Sequence, residues 1–148
     1  MRGLAALLAL TLAAPAAAQE VMDCDWQAGA ASIAEPWDEN TETFANGDVR
    51  IALLDTVEPA LGWAYLLVLS PPYDELGIRQ CRVIGAEENM GFPGLDFRSL
   101  AADYRPEVGL IFSVDVAQVD PQTAGTYMVP MQVVLNQATG EIRAGLAD

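Results

Sequence analysis

Two thiols and a scatter of carboxylates are the side chains in this sequence with the most obvious chemistry. Cys24 and Cys81 stand 57 residues apart, so they form no CxxC redox pair. A zinc site takes about four Cys or His ligands, and only two thiols are on offer. A lipid anchor needs a cysteine at the first mature position behind small residues, whereas Met22-Asp23 precede Cys24. An even cysteine count in an exported chain leaves one disulfide, Cys24–Cys81. Closing a loop of that length is worth about 4 kcal/mol on chain-entropy grounds, and it would pin the start of the mature chain.

The carboxylates come in pairs. Asp74-Glu75 and Glu87-Glu88 lie in stretches rich in glycine and proline. Two carboxylates across a cleft can hydrolyse a glycosidic bond if one has a raised pKa. With 21 acidic residues in 148, however, adjacent pairs arise by chance. Asp38-x-Asn40-x-Glu42 resembles the opening of a calcium loop. An EF-hand wants glycine at the sixth position and glutamate at the twelfth; here they are Thr43 and Val49. No metal site and no cofactor is expected.

The absences narrow the chemistry further. The chain contains no histidine and no lysine. Ser-His-Asp and Cys-His catalysis, histidine zinc sites, Ser-Lys dyads and a pyridoxal Schiff base are therefore excluded within this chain. A non-enzymatic role is the preferred expectation, with a carboxylate-based hydrolase as the enzymatic rival.

Two loops have the composition of recognition surfaces. SPPYDELG (70–77) and ENMGFPGLDF (88–97) place Tyr73, Met90 and Phe92 beside Asp74, Glu75, Glu87 and Glu88. Aromatic and methionine side chains on shaped loops suit an interface; the competing expectation is that Tyr73 and Phe92 cap the open ends of a sheet core. Trp26, Trp37 and Trp63 lack the interleaved basic residues of a nucleic-acid stacking platform and are expected in the core.

Charge and the amino-terminal segment indicate a compartment. MRGLAALLALTLAAPAAAQ combines Arg2, an apolar stretch from Leu4 to Ala14, and small residues at 16–18. This reads as a secretory signal over 1–18, with one β-rich domain over 19–148 and a periplasmic or secreted destination. Losing Arg2 takes the net charge from −14 to −15. Such a field disfavours nucleic acid and anionic lipid. The candidate partners are a cationic exported protein, as for a lysozyme inhibitor, or a small apolar ligand. The longest later apolar run, LGWAYLLVL (61–69), is too short to span a membrane.

The elements that must position these residues are mostly strands. Asp25 could cap a short helix carrying Trp26, Ala30 and Ile33 on one stripe and ending at Pro36. PWDENTETFANG (36–47) reads as a polar connection. Val49, Ile51 and Leu53 then alternate at period two, and 62–69 is continuously apolar, as in a strand covered on both faces. A third strand spans 78–84 around Cys81. RPEVG, DPQTAG and NQATG punctuate the rest as hairpin turns, their glycines 16 and 15 residues apart. Pro130 argues for an edge or a bulge. Residues 96–104 suit a strand entering the RPEVG hairpin, with a capped helix, hence an α+β fold, as the alternative.

FANGDVRIALLD, LVLSPPYDELGIRQCRVIG and VVLNQATGEIRA are similar to segments of small exported proteins of Gram-negative bacteria to which no activity is assigned. That resemblance implies the exported compartment; it carries no catalytic signature and no site residue. The expected fold is mainly β: an antiparallel meander of about seven strands forming a curled sheet, sandwich or small barrel, with a short N-terminal helix. The expected function is recognition through its loops.

Overall fold

The computed structural model describes residues 18–147; residues 1–17 of the expected signal segment lie outside them. The described residues are mainly β, with nine strands among them: β1 (Glu20–Asp23), β2 (Thr41–Phe44), β3 (Val49–Asp55), β4 (Ala64–Tyr73), β5 (Arg79–Gly85), β6 (Leu95–Arg105), β7 (Gly109–Val119), β8 (Thr126–Leu135) and β9 (Ile142–Leu146). They form two antiparallel sheets, ordered β1-β5-β4-β3-β2 and β6-β7-β8-β9. The order does not close on itself, so the architecture is a sandwich and not the small barrel also expected. The two strands beyond the expected seven are β1 and β2, the outermost strands of the larger sheet.

Period-two alternation sets the core. Val49, Ile51, Leu53, Leu66, Val68 and Ile84 of the first sheet meet Phe112, Val114, Val116, Met131, Val133 and Leu135 of the second. Facing sheets pack about 10 Å apart with interdigitating side chains. Phe112 is fully buried and takes Phe44 edge-on, with ring centroids 5.0 Å apart. Such a pair adds about 1 kcal/mol beyond its buried area.

The unbroken apolar run in β4 follows from cover on both sides. Leu66 and Val68 face the inter-sheet core, whereas Tyr65 and Leu67 face outward into a second cluster with Ala52, Leu54 and Val83. Met22, Cys24, Ala28 and Ile33 close over that cluster. The Cys24–Cys81 disulfide, with Cα atoms 5.4 Å apart, ties this cover to β5.

The cover is not the helix expected at its start. Trp26–Ala28 and Ala30–Ser32 are single 3-10 turns separated by Gly29, which is extended at φ −66°, ψ 148°. Asp25 makes no capping hydrogen bond. Glycine costs a helix interior about 1 kcal/mol, and Gln27 turns inward, 2% exposed, where the expected stripe needed apolar side chains.

Two irregularities have local causes. β6 is a strand, as the RPEVG turn implied, but its register with β7 shifts between Asp96 and Ala101. Ser99 fills the gap: its hydroxyl donates to Asp96 O and accepts from Asp115 N, both at 2.7 Å. Pro130 sits in β8, which has neighbours on both sides, but β9 reaches only to Met131. The Pro130 carbonyl accepts from Ala147 N beyond the end of β9, so the missing N–H faces that same side, past the last strand pair of the β8–β9 ladder.

Candidate binding groove

The expected binding loops are separated by the fold. Tyr73, Asp74 and Glu75 lie at the β4–β5 hairpin, whereas Glu87, Glu88 and Met90 form a tight turn beyond the far end of β5. Ten residues of β4 at about 3.3 Å each put these ends about 30 Å apart. The two sets do not form one surface.

Each set has a structural task as well. The Tyr73 hydroxyl donates to Asp48 Oδ1 at 2.8 Å, and this bond, more than burial, raises its pKa above 10.0. Asp74 Oδ1 accepts from the N–H groups of Leu76 and Ile78, closing its own turn. Phe92 is fully buried in the main core, and its backbone pairs with Ala64. Gly91, beside it, packs so closely on Gly62 and Ala64 that an added Cβ would stand 2.6 Å from the backbone oxygens of both. Glu75, Glu87, Glu88 and Met90 stay exposed.

A broader concavity lies elsewhere, on the outer face of the larger sheet. Cross-strand rows define its floor: Thr43–Arg50–Leu69 and Thr41–Ala52–Leu67. Ile33, Trp37 and Asp38 from the cover form one wall and Glu42 stands at the rim, enclosing about 520 Å³. Ala52 is 1% and Leu67 6% exposed, so the floor is apolar and closely packed. Trp37 is 52% exposed, against the expectation that all three tryptophans are core; Trp26, at 56%, departs in the same way.

Polar groups at the groove are uncommitted. Arg82, Arg98, Arg105 and Arg143 pair with Asp23, Asp96, Asp103 and Glu141 at 2.8–3.6 Å. Arg79 donates to Gly47 O at 3.1 Å. Among the described residues Arg50 is the one arginine whose side chain makes no hydrogen bond or ion pair, and the Thr41 and Thr43 hydroxyls are likewise free. Guanidinium, two hydroxyls, the Asp38 carboxylate and an indole thus border an apolar floor. Such a groove can hold a small or extended ligand by packing while fixing it with a few polar contacts.

Sequence reasoning missed this site because its members are distant along the chain. Thr43, Arg50 and Leu69 become neighbours only through β-pairing, and β2 itself was hidden in a polar connection. Asp38 and Glu42 stand out in the sequence only as part of a failed calcium motif. Among the described residues no group of three Cys, Asp or Glu is placed to hold a metal ion. No helix among them is long and apolar enough to cross a membrane. Against protein-family models, curated proteins and solved structures, nothing matches this chain.

Proposed function

We propose that this chain is a non-enzymatic exported recognition protein, carried to the periplasm or beyond by its N-terminal segment, and that the Trp37–Arg50 groove is its binding surface. The observation that carries this reading is the exposed Trp37 beside an apolar floor and an unpaired Arg50. A half-exposed indole costs free energy in water and gains contact area once a ligand covers it. The disulfide belongs to this function because it fastens the segment that supplies Trp37.

The strong negative charge favours a cationic partner. The four ion pairs engage four of the chain's 21 acidic residues, so most remain available to steer such a partner. Inhibition of a cationic exported enzyme is the form this reading takes if the partner is an enzyme. A small apolar ligand would use the floor alone and leave the rim charges unanswered.

Native mass spectrometry of the gently purified exported protein, compared with Trp37→Ala, tests the groove. A defined mass that accompanies the wild type and is lost from the variant is the expected result. A mass retained equally by both would remove the groove from the function.

A further inference from the structure

We propose that the groove is completed by an extended peptide segment of the partner, which adds as a further antiparallel strand to the free edge of β2. This rests on the groove being the recognition surface.

The main chain of β2 supplies the first argument. Leu53 N donates to Asn40 O at 3.0 Å, so the main-chain groups of Asn40 point at β3. Thr41 pairs with Ala52 and Glu42 with Ile51 in the same register. Main-chain groups alternate sides along a strand, so Glu42 and Phe44 also point at β3, and Thr41 and Thr43 point away. The sheet order ends at β2. The N–H and C=O groups of Thr41 and Thr43 therefore form an open ladder beside the groove, as strand addition requires.

The other outer edges are blunted. β6 bulges at Phe97–Leu100, where Ser99 replaces the ladder. β1 and β9 meet at one margin of the sandwich, where Gln19 N donates to Ala144 O at 3.0 Å. Bulges and covered margins disfavour strand addition; β6 is regular again over residues 101–105, but β2 is the edge that borders the groove.

The side chains specify what the strand carries. A residue opposite Thr41 shares the face of Ala52, Leu67 and Trp37, which calls for an apolar side chain. The residue opposite Glu42 takes the other face and answers it with a basic side chain, because directly opposed charges attract across a sheet. The residue opposite Thr43 lies beyond a short side chain from Arg50, whose free guanidinium suits a carboxylate. Read N to C along the antiparallel partner, the pattern is acidic, basic, apolar.

The probe is acetyl-Thr-Glu-Arg-Leu-Thr-amide, titrated into 15N-labelled protein and followed by amide shifts. Expected are shifts at Thr41 and Thr43 together with the Trp37 indole. N-methylating the Glu and Leu amides, which face β2, should weaken binding about tenfold, whereas N-methylating the Arg amide should leave it unchanged. Thr43→Pro removes one outward N–H that pairs with nothing, so the fold should survive while binding falls about tenfold. Equal binding of all methylated peptides, or a Trp37 shift without Thr41 and Thr43 shifts, overturns strand addition and keeps the groove. No shift in any of them at millimolar peptide overturns the proposal, while a mass lost on Trp37→Ala would still uphold the groove.

Discussion

Thr43 and Arg50 stand directly opposite each other across the β2–β3 pair, and Leu69 flanks Arg50 on its other side. A long cation between a short hydroxyl and an apolar side chain, with no acidic partner, is poised toward whatever enters beside β2. Arg50→Gln should leave the melting temperature within a degree or two, since no bond of the folded chain is lost. Occupancy of the groove should fall severalfold, read by the same shift titration.

Trp37→Ala separates binding from stability. An indole half in water contributes little to the core, so a change within about 0.5 kcal/mol is expected. A loss several times larger in chemical denaturation would place Trp37 among the structural residues instead.

The disulfide should prove the main support of the cover. Cys81→Ser should cost up to about 4 kcal/mol and lower the melting temperature by several degrees. Because Cys24 begins the segment that carries Ile33 and Trp37, the variant should also lose groove binding. An unchanged melting temperature would contradict this role.

Gln27 is the converse case. Its Oε1 is buried with no hydrogen-bond partner, an energetic cost left within the cover. Gln27→Leu should therefore stabilise the chain by about 1 kcal/mol, measured by denaturant unfolding.

At the β7–β8 turn, the Gln122 N–H and then the Thr123 hydroxyl donate to Asp120, holding its carboxyl below the ordinary 3.8. A folded-state pKa below the unfolded one gives stability that is present above the unfolded value and lost as pH falls through the folded one. The melting-temperature advantage of wild type over Asp120→Asn should therefore shrink as pH drops below about 4. A constant difference down to pH 2 would show that ionisation at this turn is irrelevant.

The legible part of this fold was its periodic part. Alternation in Val49–Asp55 and in the hairpins around residues 109 and 125 identified strands because one face of each is buried. The continuous run 62–69 correctly implied cover on both faces, though not what covered it. β2 escaped notice because Thr41–Phe44 is a short edge strand, with only Phe44 reaching the core and Glu42 in water. The cover escaped because two 3-10 turns and an extended glycine carry no period. The candidate site depends on both of these, and its free arginine is visible only once the other five described arginines have found partners.

Under the proposed function, recognition takes place beside β2 and not at the hairpin loops. Its most direct test is the amide and indole shift map of the folded, oxidised chain with acetyl-Thr-Glu-Arg-Leu-Thr-amide. Movement is expected to be confined to residues 37–43, Arg50 and Leu67–Leu69. Movement centred on Tyr73–Glu75 or Glu87–Met90, with Trp37 and Arg50 silent, would contradict it.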